Sequence, residues 1–298
     1  MRIVVENNES SRIDSYLIDK LDKSRSKIQS MIKDGKIKVN DNKVKVSYLV
    51  KESDVIEVEE VTELSLDVVP EEMDLDIVYE DEDVIVVNKA NGVVVHPAVG
   101  NNSGTLVNGL LYHSKNLSNV NGEFRPGIVH RIDAYTTGLL MVAKNDKAHE
   151  ILAKQLEEKT THRKYIALVW GVIKNDTGTI DAPIGRDSND RKKMAVTANN
   201  SKHAVTHFKV LKRYKEVTLI ELMLETGRTH QIRVHMNYIG YPIVNDPVYG
   251  RRKIIDDSGQ CLHAKELGFV HPKTNEFVLF SSELPECFIN ILKNFEEE

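Results

Sequence analysis

GIVHRIDAYTTGLLMVAKN, residues 127–145, places a histidine, an arginine and an aspartate just ahead of an apolar run. Thr136, Thr137 and Gly138 mark a turn, and LLMVAK behind them reads as a strand. Asp133 therefore belongs to a loop at the start of a strand. Loops at strand ends are where reactive side chains gather on a rigid sheet, although a lone aspartate in a turn also serves as a turn former. Upstream, DVIVVNKANGVVVHP (83–97) has two β-branched runs around Ala90–Gly92, a pattern that predicts a hairpin. Downstream, KAHEILAKQLEEK (147–159) brings Ala148, Ile151, Leu152 and Leu156 to one face of an amphipathic helix. KYIALVWGVI (164–173) and EVTLIELMLE (216–225) read as strands. THQIRVHMNYIG (229–240) reads as a helix that Thr229 caps and Gly240 ends. Strands outnumber helices, so the expected class is α+β: a mixed, mostly antiparallel sheet with flanking helices.

The first sixty residues form a different unit. SRIDSYLIDKL (11–21) sets Ile13, Leu17 and Leu21 at helical spacing, with Ser10 or Ser11 available as a cap. SRSKIQSMIKDGK (24–36) repeats the pattern with Ile28, Met31 and Ile32, from a capping candidate at Ser24 to a stop at Gly35. Short alternating segments follow, KIKVN and KVKVS with a turn at Asp41 and Asn42, then DVIEVEE.

Charge divides the chain in the same way. The net charge of −5 hides a basic front: residues 10–51 hold eleven Lys or Arg against five Asp. Residues 63–83 carry ten Asp or Glu and no Lys or Arg. Phosphate attraction depends on local charge, so a basic module hints at nucleic acid. The expected domains are 1–60, an acidic linker over 61–74, and a large domain over 75–298. At 298 residues and 41% apolar composition the chain can bury a large core and a small one. MRIVVENNES lacks the apolar centre of a signal peptide, and no run reaches the length of a membrane span. Cys261 and Cys287 stand outside any CxxC pattern. A cytoplasmic protein without membrane association is expected.

Several chemistries fail on spacing. A kinase catalytic loop needs His, Arg and Asp adjacent, but Ile132 intervenes, and the glycine-rich cover and D-F-G are missing. His230 and His235 stand five apart, which does not align two metal ligands on a helix face. His130, His263 and His271 lack Cys or carboxylate companions at ligand spacing. A glycosidase-like enzyme needs a second acid, for which Asp246 in NDPVYG is the candidate.

RIDSYL, SRSKIQSMIKDGKIKVN and DVIEVE resemble the S4 RNA-binding domain. The resemblance implies that Arg12, Ser24, Arg25, Lys27 and Gln29 face RNA, where phosphate contacts position rather than read sequence. From about residue 77 to 285, the segments VVNKANGVVVHPAVGNNSGTLVNGLLYH, GIVHRIDAYTTGLLMVAKN, KYIALVWG, GRTHQIRVHMNYIGYPIVNDPVYG and LHAKELGFVHP look like the RluA family of pseudouridine synthases. With the S4-like front, the arrangement resembles the RluD-type branch, which modifies large-subunit ribosomal RNA. The resemblance implies that specific uridines in RNA are isomerised, free or within ribosomal particles, with no cofactor, metal or obligate protein partner. It implies that Asp133 is the essential carboxylate, Arg233 its cationic partner, and Tyr165 the aromatic residue beside the target base. Whether Asp133 attacks the ribose, attacks the ring or removes a ribose proton stays open. Arg131 matches a residue that fills the place left by a flipped uridine. Arg228, Thr229 and His230 are expected to support the site or meet phosphate. The chain departs from the family at Ala134 and Tyr135, where a polar pair is commoner, and NKANG lacks the usual proline. A noncatalytic S4-type RNA-binding or ribosome-assembly protein remains the alternative.

Overall fold

The computed structural model describes residues 1–6, 11–21, 25–59, 68–97, 101–122, 125–190, 193–250 and 254–295, apart from the side chains of 26 and 27. Two compact units divide the chain, Met1–Leu66 and Asp67–Glu298.

The first unit contains β1 (Arg2–Val4), α1 (Ile13–Tyr16), α2 (Arg25–Lys33), β2 (Ile37–Val39), β3 (Asn42–Lys43) and β4 (Val55–Val58). Its antiparallel sheet has the order β1-β4-β2-β3. Ile13, Leu17 and Leu21 bury against Ile28, Met31 and Ile32 of α2 and the sheet residues Ile37, Val39, Ile56 and Val58. α1 stops early, yet Leu17 N–H to the Ile13 carbonyl and Leu21 N–H to the Leu17 carbonyl continue the helical spacing. Its N-cap is Arg12, which makes no side-chain cap, rather than Ser11; Ser10 lies outside the described residues. Gly35, at φ +74°, ends α2. The β2–β3 turn places Asn40 and Asp41 in the left-handed region, one residue earlier than the sequence suggests.

The second unit runs β5 (Ile77–Glu80), β6 (Val84–Lys89), α3 (Leu106–His113), β7 (Thr137–Ala143), α4 (Asp146–Glu157), β8 (His162–Trp170), β9 (Thr177–Asp181), β10 (Ile184–Arg186), β11 (Met194–Val196), β12 (Val205–Arg213), β13 (Val217–Leu224), α5 (Gln231–Tyr238), β14 (Leu262–Val270), β15 (Phe277–Ser281) and α6 (Glu286–Lys293). Nine strands form one sheet, β5-β6-β7-β14-β8-β13-β12-β9, with β15 also on β14. Its pairings are antiparallel except for β7 with β14, where Thr137 meets His263 and Gly138 meets Ala264. Both faces are covered. Ile85, Val87, Leu140 and Val142 join a core with Leu106 and Leu110 of α3, while Val84, Val86, Leu139 and Met141 join another with Ala148 and Leu152 of α4. That double burial is why β6 and β7 read as unbroken apolar runs rather than alternating ones.

The hairpin expected around Ala90–Gly92 does not form. β5 and β7 occupy both edges of β6, so the second apolar run has no edge to pair with. The Val94 and Val95 carbonyls instead accept the first N–H groups of α3, from Leu106 and Val107.

Candidate active site

The loop carrying Asp133 enters β7 at the parallel junction, and its neighbours pin it. His130 Nε2 accepts the Met141 N–H at 3.1 Å. Burial, helped by the Arg163 charge, lowers the His130 pKa to about 3, so the ring is neutral. The Asp133 carbonyl accepts the Thr136 N–H at 3.0 Å, and Gln260 Nε2 donates to Thr136 Oγ1 at 3.0 Å. Thr137 Oγ1 lies 2.8 Å from His263 Nδ1, whose Nε2 is 3.0 Å from Ser282 Oγ. From the other side, buried Lys89 donates to the carbonyls of Ala90, Val93 and Ala134 at 2.8, 2.9 and 2.7 Å.

α5 supplies the cation. Thr229 does not cap it: the N-cap is His230, with φ 57° and no side-chain cap. The side chain of Gln231 ties the turn instead. Its Oε1 accepts from Thr226 Oγ1 and the Arg228 N–H, while Nε2 donates to the Val205 carbonyl and Thr206 Oγ1. Arg233 is thereby held with its side chain only 5% exposed. Its Nη1 donates to Asp133 Oδ2 at 2.8 Å, and Nε and Nη2 donate to Asp246 Oδ2 and Oδ1, each at 2.8 Å. The Tyr249 ring lies 5.1 Å from the guanidinium carbon. Burial alone would depress the Arg233 pKa, but Asp246 and Asp133 together hold it above its ordinary value. Burial likewise works to raise Asp246, and Arg233 with the Tyr249 and Val248 N–H groups overcomes it, keeping this carboxyl below its usual range.

Asp246 is fully buried and both its oxygens are engaged, so it is not a second acid in the site. The paired-carboxylate reading falls on that geometry. Asp133 retains 18% side-chain exposure, and its Oδ1 lies 3.7 Å from His230 Nε2, beyond hydrogen-bond range. His230 is anchored by Nδ1, 2.8 Å from the Tyr249 hydroxyl, and burial keeps its pKa low against the opposing pull of Asp133.

A cavity of about 500 Å³ opens here, and Arg131, Asp133, Tyr165, Arg228, His230 and Arg233 all line it. Residues more than a hundred positions apart, all singled out from sequence, thus share one space. Tyr165 is 7% exposed on β8, opposite Ala264, and burial raises its pKa, with Arg163 opposing and Asp133 adding to the rise. Arg131 is exposed, and Arg228 Nε donates to the His203 carbonyl at 2.9 Å. Sequence reasoning missed Lys89, Arg163 and the role of Asp246. Among the described residues no group of three or more His, Cys, Asp or Glu is placed to hold a metal ion.

In the first unit, Arg12 Nε, Arg25 Nε and Gln29 Nε2 all donate to the buried carboxylate of Asp14, at 3.0, 3.0 and 2.7 Å. Both guanidiniums stay about half exposed. Ser24 and the side chain of Lys27 lie outside the described residues.

Asp133 opens onto a cavity of about 500 Å³ that four arginines, Arg131, Arg163, Arg228 and Arg233, also line, and Arg233 holds its carboxylate. A carboxylate held by a buried arginine at a cavity is a catalytic arrangement, and the basic residues of the first unit suit an anionic partner such as a nucleic acid. Comparison with known proteins narrows the class. Residues 83–238 match the family described as RNA pseudouridylate synthase, and residues 11–56 match the S4 domain. The chain is 55% identical to the RNA pseudouridine synthase YlyB of Bacillus subtilis (strain 168), over 98% of this chain and 96% of that one. It is 43% identical to the ribosomal large subunit pseudouridine synthase D of Pseudomonas aeruginosa, over 92% and 88% of the two chains. Among solved structures, human RNA pseudouridylate synthase domain containing 1 superposes with a TM-score of 0.59 at 25% identity, over 80% of this chain and 98% of that one. The chain belongs to the RNA pseudouridylate synthase family and is an isomerase with an S4 domain. Among the described residues no helix is long and apolar enough to cross a membrane.

Proposed function

We propose that the chain converts specific uridines of large-subunit ribosomal RNA to pseudouridine in the cytoplasm, with Asp133 as the essential carboxylate. The observation that carries the reading is the Arg233 fork, which holds Asp133 at 2.8 Å and Asp246 behind it. The fork fixes Oδ2 of Asp133, and the carboxylate keeps 18% side-chain exposure at the cavity. Large-subunit RNA as substrate is supported by the name of the Pseudomonas relative and by the same name on a Neisseria meningitidis relative, 46% identical over 94% of this chain.

A stacked uridine must leave its helix to reach a carboxylate in a cavity, at a cost of a few kcal/mol. Arg131, exposed at the rim, fills the vacated stack. Tyr165 stacks against the uracil and presents its hydroxyl for proton movement. The bond from ribose C1′ to N1 breaks, one from C1′ to C5 forms, and the C5 proton leaves to N1, so product and substrate have the same atoms. Asp133 supplies the reacting carboxyl group, and Arg233 fixes its rotamer. Arg228 and His230 meet backbone phosphate at the α5 terminus. The S4-like module (1–60) positions the RNA through Arg12, Ser24, Arg25, Lys27 and Gln29. An acidic linker (61–74) joins it to the catalytic domain (75–298).

The test is Asp133→Asn. Tritium release from large-subunit RNA labelled at uracil C5 should fall on the order of 10⁴-fold, with RNA affinity unchanged. Near-normal turnover in the variant would remove Asp133 from this role. Wild-type release from other RNAs but not from this one would move the substrate.

A further inference from the structure

Arg163 stands two residues ahead of Tyr165 on β8, so strand alternation puts both side chains on the same face. It is 8% exposed and lines the cavity with Asp133 and Tyr165. Among the described residues its guanidinium makes no hydrogen bond or ion pair, and Nε is buried without an acceptor. The contrast with Arg233, which satisfies two carboxylates, is sharp. The cavity is lined by two carboxylates: Asp133, which Arg233 holds, and Glu157, which is exposed. Gly227 faces the guanidinium so closely that a Cβ there would come within 2.9 Å of Nη1. The bare glycine leaves the cation room.

A guanidinium does not shed its proton near neutral pH, so it cannot escape burial by neutralising itself. A buried charge without an anion costs stability, and it persists where something outside the free protein supplies the anion. We infer that Arg163 is an anion site: it receives a nonbridging phosphodiester oxygen adjoining the uridine that enters the cavity. This rests on the reading of the Asp133 cavity as the uridine pocket. A phosphodiester matches because it is permanently anionic and presents two oxygens to a planar fork. A neutral uracil carbonyl would leave the charge unbalanced. The neighbouring imidazole of His130 stays uncharged and accepts a backbone N–H, so it does not compete for the anion.

The probe is a stem–loop RNA that the wild-type enzyme converts, with the phosphates around its target uridine replaced singly by neutral methylphosphonates. At one linkage the wild type should lose affinity by roughly ten- to hundredfold. Arg163→Met should lose a similar factor on unmodified RNA and nothing further at that linkage. The RNA-free variant should also melt higher, by about 2–4 °C, because an unpaired buried charge is gone. If Arg163→Met does not fold, Gly227→Ala, which crowds Nη1, should show the same loss of additivity at the same linkage. Losses that multiply at every linkage overturn the inference, as does a variant that melts lower and binds normally. Asp133→Asn separates the two readings. Turnover in that variant would sink the pocket itself, whereas an inactive Asp133→Asn with multiplying losses sinks only the phosphate site.

Discussion

The role proposed for Asp133 rests on what stands behind it. The family resemblance singled out Arg233 as the partner of Asp133, and the two are 2.8 Å apart. The role of Asp246 was not legible: NDPVYG offers it as a second acid for a glycosidase-like site, and the fold instead places it behind the guanidinium. With both its oxygens engaged, Asp246 keeps Arg233 from swinging toward solvent. Arg163 was equally hidden: HRKY reads as the polar end of a strand, and the period-two relation to Tyr165 is its sequence signal. Lys89 is the third such residue, and it makes a pH prediction. Burial lowers its pKa from 10.5 to about 7, with the Asp133 charge resisting. Between those values the unfolded chain holds a proton that the folded one lacks. Stability contributed at this site is therefore lowest below pH 7 and rises as pH climbs toward 10.5. Urea midpoints of wild type and Lys89→Met, compared at about pH 6 and about pH 9.5, should diverge in favour of the wild type at the higher pH. Parallel profiles would show that Lys89 keeps its proton throughout.

The element that decides the site is β7 against β14, the sheet's parallel contact. Gly138 makes it possible: its φ is +105°, and a Cβ would overlap the Ala264 backbone. Gly138→Ala thus combines a strained backbone with a collision that a side-chain rotation cannot relieve. We expect a loss of about 3 kcal/mol or more in denaturant unfolding, with turnover falling because the Asp133 loop leads directly into this strand. A variant as stable as the wild type would mean that the two strands are not in this register. β7, β8, β13 and α4 were legible because long apolar or amphipathic periods survive any tertiary context. The hairpin after Lys89 was misread because periodicity reports an apolar face but not which strand edge is still vacant. The α5 start was misread for another reason. Thr229 is the stronger capping type, but the buried Gln231 side chain ties the turn to Thr226, Arg228 and the Val205 carbonyl, and the N-cap falls one residue later, at His230.

At the scale of the molecule, two units with separate cores divide the work, and the charge map divides along similar lines. The basic front unit was legible in composition, but its organising acid was not: Asp14 is a negative residue inside a positive module. Burial would raise the Asp14 pKa, yet hydrogen bonds from Gln29, Arg25 and Arg12 bring it down to about 2 from 3.8. The carboxylate is fully buried while both guanidiniums remain half exposed. Asp14 thereby orients two arginines outward without consuming their access to solvent. Because the folded pKa is depressed, this contribution is complete above about pH 4 and is lost as pH falls toward 2. Its size is about 1–2 kcal/mol. Asp14→Asn in the full chain should lower hydrogen-exchange protection of α2 and of Leu17 and Leu21 at neutral pH, by that amount. The core these residues belong to is drawn from the first unit, so amides of β7 and β14 should keep their protection. As pH drops toward 2 the wild type loses the same interaction, and the gap between the two proteins should close. RNA affinity should fall in the variant even where it is fully folded, since an asparagine leaves Arg12 and Arg25 one neutral acceptor oxygen where Asp14 gave them two charged ones. A gap that stays constant with pH would assign the effect to packing rather than to the ionised carboxylate.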